Sequence, residues 1–438
     1  MFKSKQVIFS LSTLIIILMG SCSNKEIKTE YEKGNVIFIH PDGSSLAMWN
    51  AVRVLYYRPG GELHWDKLSN IGLYQGYMTN TLTASSEGGA TIHAYGVKVK
   101  LLSYGMNGNK PLISRSGTKM SIMQEAIQNG IRTGIINSGT IVEPGTGVFV
   151  ASDNSRANED AIAKKIIESG ADLIFSGGES VLLPEGVNGK FGSGKRKDSL
   201  NLVKIAEEMG YYLIYNKEEL LSAPINAEKV LGIFASRHTF NDASEEELLE
   251  KGLSNYSETA PTIAEMTKFA VRFLSKNNKQ FFLVVEEEGT DNFGNANNAD
   301  GTFEALKRAD DAIGEILEFM DDHTETLLLT AADSEAGGLE IYGFLEKDMP
   351  RDKPLPEKSK NGAPQDGVNG TGSLPFLTGK DLNGNRFPFA VAWSTSDDVF
   401  GSVIAKAEGL NAELMQGKID NTDIYRIMYA TLFGTWIE

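Results

Sequence analysis

The feature that most limits what this chain can become is an alternation that starts at Asn35. Short apolar runs at 36–39, 135–136, 173–175, 230–234, 281–285 and 327–330 have the length and residue content of buried strands. Between them, 120–129, 159–169, 200–209, 263–275 and 303–320 carry apolar residues at helical spacing. Strands and helices taken in turn predict an α/β fold, a central mostly parallel sheet with helices on both faces. In such folds the chemistry gathers at the carboxyl ends of the strands.

Acidic residues fall at those ends. Asp42 follows the first run, Glu286 and Asp291 follow 281–285, and Asp333 follows 327–330. Carboxylates brought together repel one another, and a protein tolerates this mainly when cations lie between them. A second signal is the stretch 83–98, in which Ser85 and Ser86 lead into Glu-Gly-Gly and a helix-like run. A hydroxyl at a helix N-terminus meets free N–H groups and a dipole that favour an anion, which suits a nucleophile attacking phosphate. The same letters also fit a plain capped helix.

The N-terminus is read apart from the fold. Lys3 and Lys5 precede an apolar run at 7–19 that ends in Met-Gly-Ser-Cys. This pattern reads as a secretory signal over 1–21, because the run falls short of the roughly 20 residues a membrane span needs. Cys22, the chain's only cysteine, stands where a bacterial lipobox places its lipidated residue. That resemblance implies an exported protein, lipid-anchored through Cys22 to a bacterial membrane and facing the periplasm or the cell surface. Residues 22–34 would be a tether and 35–438 one catalytic domain, with 346–372, rich in Lys, Asp, Pro and Gly, as a surface insertion. The 41% hydrophobic and 23% charged content is ordinary for a folded domain, and the net charge of −16 excludes a nucleic-acid binder, which needs a basic footprint.

From residue 35 onward the chain resembles the alkaline phosphatase family in five blocks that keep the family's order. Val36-Ile-Phe-Ile-His-Pro-Asp-Gly43 resembles the first strand and its metal-bridging Asp, at Asp42. Counting back from Gly96-Val97-Lys98 puts Ser86 at the nucleophile, with Ser85 where the family has an Asp. Glu143-Pro-Gly-Thr146 lies where magnesium-site ligands are expected, and Arg156 where an arginine grips phosphate. Its fork of donors fits a phosphate bidentately. Glu286 and Asp291, five apart, resemble a pair that binds different metals, and Asp333-Ser334-Glu-Ala-Gly-Gly-Leu339 resembles the block that follows. The stretch 393–424 resembles the one supplying the last metal histidine.

Where the family has three zinc-binding histidines, this chain has Asn295, Ser334 and, across a deletion, Asp398 or Ser396. The five histidines, His40, His64, His93, His238 and His323, fall on no family ligand position. His40 and His93 are read as hydrogen-bonding neighbours of the site, His238 as a loop residue, His323 as solvated and His64 as having no role. With Asp42, Ser86, Glu143, Thr146, Glu286, Asp291, Asn295, Asp333, Ser334 and Asp398 all oxygen donors, two to three hard divalent cations are expected. Mg is favoured, Ca and Mn suit the ligands, and Zn is less favoured than in the family. The implied activity is a phosphate monoester hydrolase working through a phosphoserine on Ser86, with a small phosphate ester as substrate and a homodimer as one assembly. A diesterase or sulfatase on the same scaffold, or an inactive phosphate- or cation-binding lipoprotein, would use many of the same residues.

Overall fold

The computed structural model describes residues 30–344 and 352–438. The signal-peptide reading, Cys22 and most of the tether lie outside them. Ten strands form one sheet: β1 (Asn35–Pro41), β2 (Asn70–Gln75), β3 (Arg132–Thr140), β4 (Leu173–Gly177), β5 (Tyr211–Ile214), β6 (Lys229–Ile233), β7 (Phe281–Glu287), β8 (Thr326–Thr330), β9 (Ile404–Gly409) and β10 (Gly417–Asp420). Their order across the sheet is β10-β2-β9-β8-β1-β7-β3-β4-β6-β5. From β8 to β5 every pairing is parallel, and β9 runs antiparallel to both β8 and β2.

The six apolar runs are all strands of this sheet, at its centre and toward one side. Along β1 the side chains divide by alternation. Val36 and Phe38 enter the core on one face, Ile37 and Ile39 the core on the other, and all four are fully buried. Burial on both faces explains why the run is apolar throughout. The five expected helices are present with ends shifted by a few residues, the longest being Ala299–Met320, which starts four residues before the periodic stretch because Asn298 caps it by accepting from Gly301 N at 2.6 Å.

Two expectations change. Part of the segment read as a surface insertion is structural: Gln365–Gly367 is a buried strand paired antiparallel to Pro388–Trp393 in a second, five-stranded sheet. Short strands built on Gly, Asp and Gln leave no apolar alternation to read. The end of the tether is also fixed, since Tyr31 N donates to Gly434 O at 2.9 Å and Gly34 N to Thr431 O at 2.9 Å.

Candidate active site

Ser85 and Ser86 have different tasks. Ser85 is the N-cap of α1 (Ser86–Tyr95), its hydroxyl accepting from Gly88 N at 3.3 Å and Leu102 N at 3.1 Å. Ser86 is the first helical residue, 9% exposed, and its hydroxyl reaches toward Asp42. The second of the two glycines that follow is explained by its neighbour. A Cβ on Gly89 would lie 2.3 Å from the Cβ of Asp333, so only glycine lets that aspartate lie against the helix start.

Asp42 leaves the end of β1, and Glu286 and Glu288 leave the end of the adjacent β7. Two triads of ligand atoms form there, each with every atom within 4.8 Å of the others: His40, Asp42 and Glu286, and Asp42, Glu288 and Asp291. Asp42 belongs to both. Both its carboxylate oxygens, Glu286 Oε1, Glu288 Oε2, Asp333 Oδ2 and His40 Nε2 are buried without a hydrogen-bond partner. Each such orphan costs free energy on the order of 1–3 kcal/mol, and divalent cations would satisfy them together. The donor set therefore fits the cations that the family resemblance implies.

The electrostatics agree. Burial, offset in part by Arg156, pushes the Glu143 carboxyl up to about 7, and burial together with the Asp42 charge pushes Glu286 up to about 8. Burial and neighbouring carboxylates raise Glu288, Asp291 and Asp333 well above the usual range. Asp42 is the exception. Against the burial that would raise it, the His40 charge beside it holds its carboxyl well below that range.

Around Asp291 one expectation is corrected. Asn295 does not present its oxygen to the site. Its carbonyl accepts from Gly337 N at 3.2 Å, while its Nδ2 donates to Asp291 Oδ1 at 3.2 Å and Asp398 Oδ1 at 3.0 Å. An amide NH2 thus lies between two carboxylates. The structure also selects between the two readings of the last position. Asp398, paired with Ala336 across a two-residue ladder, meets Asp291, whereas Ser396 is exposed. Ser334 Oγ donates to Asp333 Oδ1 at 3.3 Å.

Glu143 precedes the short helix α2 (Pro144–Gly147) and bonds Arg156, Oε2 to Nη2 at 2.9 Å. Glu87 Oε2 approaches Arg156 Nη1 at 3.4 Å. The arginine side chain is 45% exposed, so three of its five N–H donors remain for an incoming anion. Thr146 lies beside Glu286 through Asn137, whose Nδ2 donates to Thr146 Oγ1 at 3.0 Å and also to Glu286 Oε2. A Cβ on Gly145 would meet Glu286 Oε1 at 1.8 Å, so glycine is what lets this carboxylate settle against α2.

Glu87, Glu288 and Asn137 are site residues that sequence reasoning did not assign, and His40 was read only as a hydrogen-bonding neighbour. Three consecutive glutamates directly after an apolar strand were a usable signal, although Glu287 is taken up structurally by Tyr256 OH at 2.6 Å and Ser138 Oγ at 2.5 Å. The other histidines are settled by contacts. His93 Nε2 meets Tyr74 OH at 2.7 Å, and His238 stacks on Phe240 with Nδ1 4.0 Å from Glu143. His64 lies beside Asp310, and His323 stacks on Phe319 rather than standing free in solvent.

The comparisons with known proteins point to one family. A membrane-bound alkaline phosphatase of Bombyx mori is 26% identical over 460 residues, covering 91% of this chain and 80% of its own length. Alkaline phosphatase 4 of Bacillus subtilis is 25% identical, covering 73% of this chain and 72% of its own. Among solved structures, a variant of the alkaline phosphatase from the Antarctic bacterium TAB5 with Mg bound superposes with a TM-score of 0.69. It is 22% identical and covers 94% of this chain and all of its own. The alkaline phosphatase family profile matches residues 33–433, nearly the whole described fold, and the chain belongs to that family of hydrolases.

Proposed function

We propose that this enzyme hydrolyses phosphate monoesters by transfer of the phosphoryl group to Ser86 and then to water. The observation that carries the reading is the placement of Ser86. Its hydroxyl stands at the start of α1, facing the orphaned carboxylate of Asp42, and the next residue, Glu87, is joined to Arg156. The N–H groups of Arg156 left by its two carboxylate partners, together with the N–H groups at the start of α1 that Ser85 does not cap, would hold the phosphoryl oxygens beside Ser86 Oγ. Attack by Oγ forms the O–P bond as the bond to the leaving alcohol breaks, and a water then cleaves the phosphoseryl ester to restore Ser86. Divalent cations held by Asp42, Glu286, Asp291, Asp333 and Asp398, with Glu143, Thr146 and Ser334 beside them, would stabilise charge on the phosphoryl oxygens and acidify the Ser86 hydroxyl.

Oxygen donors at most of these positions support Mg, with Ca or Mn as substitutes, and the TAB5 variant carries Mg. Export, anchoring through Cys22 and a homodimer belong to the same proposal. The lipobox-like sequence supports the anchor, and among the described residues no helix is long and apolar enough to cross a membrane. Ser86→Ala should lower kcat/KM on an aryl phosphate by at least about 10³-fold while circular dichroism stays unchanged. Acid quenching of the wild type with labelled substrate should trap phosphoserine at Ser86. Full cation-dependent turnover by Ser86→Ala would sink the mechanism, and preference for a diester or a sulfate ester would reassign the substrate.

A further inference from the structure

We propose that His40 is a metal ligand: its Nε2, with one oxygen each from Asp42 and Glu286, forms a buried site for a divalent transition cation of the zinc class. No family position assigns this histidine, and it was read from the sequence only as a hydrogen-bonding neighbour.

The argument begins with the ring's two nitrogens. His40 is fully buried, and its Nδ1 lies 2.8 Å from Ala331 O, a carbonyl that can only accept. Nδ1 therefore carries a proton, and Nε2 holds either a second proton or, in its place, a metal cation. Nε2 has no aligned hydrogen-bond partner and pairs with Asp42 Oδ1 at 3.2 Å. Two lone pairs so close repel unless a positive charge lies between them. Bonds of about 2.0–2.2 Å to a shared cation would put neighbouring ligand atoms about 3 Å apart, close to the 3.2 Å between His40 Nε2 and Asp42 Oδ1.

The sheet supplies the third ligand. In the register of β1 with β7, His40 stands directly opposite Glu286, so both side chains project to the same face at the strand ends. Glu286 Oε2 is occupied by Asn137 Nδ2, Oε1 has no hydrogen-bond partner, and a carboxylate oxygen of Glu286 lies within 4.8 Å of the His40 and Asp42 ligand atoms. Donation of Nδ1–H to a backbone carbonyl is also how proteins fix the tautomer of a ligating histidine. Phe38 lies 5.8 Å from the ring, and His93 stands edge-on at 5.6 Å with its Nε2 committed to Tyr74 and its Nδ1 without a partner. One nitrogen and two carboxylates make a borderline donor set, which distinguishes this position from the all-oxygen group of Asp42, Glu288 and Asp291.

The competing arrangement is a proton on Nε2, with an imidazolium serving as the cation. Metal loading separates the two, independently of whether Ser86 is the nucleophile. The full-length protein is stripped with chelator and reloaded with Co(II). A hyperfine-shifted proton that exchanges slowly with solvent is expected from His40 Nδ1–H, protected by Ala331. His40→Gln should lose that signal and one equivalent of tightly held Zn by mass spectrometry after gel filtration, whereas His64→Gln should keep both. If His40→Gln does not fold, the wild-type imidazole ¹⁵N spectrum decides. A Zn-bound Nε2 supports the site. A protonated Nε2 in the Zn-loaded protein, or His40→Gln with unchanged stoichiometry and signal, overturns it.

Discussion

Arg156 is held by two carboxylates, Glu87 and Glu143, before any phosphate arrives. They fix the direction of the guanidinium, but they also put negative charge beside an anion-binding group. Neutralising Glu87 should therefore tighten the product. The arginine is nearly half exposed, so solvent screens the effect to on the order of 1 kcal/mol. Glu87→Gln should lower the inhibition constant of inorganic phosphate by roughly 5–10-fold at unchanged fold, measured by competition against an aryl phosphate. An unchanged or raised constant would mean that Glu87 contributes orientation alone. This residue was hard to read from sequence because the resemblance directs attention to the acid before the nucleophile. Here that position is Ser85, a helix cap, and the acid comes after.

At the scale of elements, α1 shows how close approach outranks helix propensity. Alanine is better than glycine in a helix by about 1 kcal/mol, so Gly89→Ala should stabilise an isolated helix. In this protein its Cβ would press into Asp333, and the substitution should lower both the melting temperature and the affinity for added Mg. A stabilised, fully active Gly89→Ala would show that Asp333 does not need this place. The central strands and all five expected helices were legible because each carries its own apolar period. β2, β9, β10 and the strands of the second sheet were not legible. They are short, partly exposed or polar, and they exist because of the partners beside them. For the site, strand-end position sufficed for Asp42, Glu286, Asp291 and Asp333. The role of Asn295 was not legible, since a sequence names the side chain but not which end of its amide faces the carboxylates.

For the whole molecule, the carboxylate cluster makes stability a function of pH and of cations together. Glu143 and Glu286 bind protons more tightly folded than unfolded, with pKa values of about 7 and about 8 against 4.5. Between pH 4.5 and 8 these two groups hold more protons in the native state, so their contribution to stability falls as pH rises through that window, against the opposite and smaller-ranging contribution of His238 below pH 6.5. The chelated protein should melt on the order of 5 °C lower at pH 8 than at pH 5, and Mg added at pH 8 should restore the loss. A chelated protein equally stable at both would show that these groups ionise without penalty. The order of the sheet has a further consequence for the newly made chain. β2 lies between β9 and β10, so the strand that leads to Ser86 has no sheet partner until residues 404–420 have been synthesised. Ser86 comes early in the sequence, yet the strand before it is paired only by residues that follow some three hundred positions later.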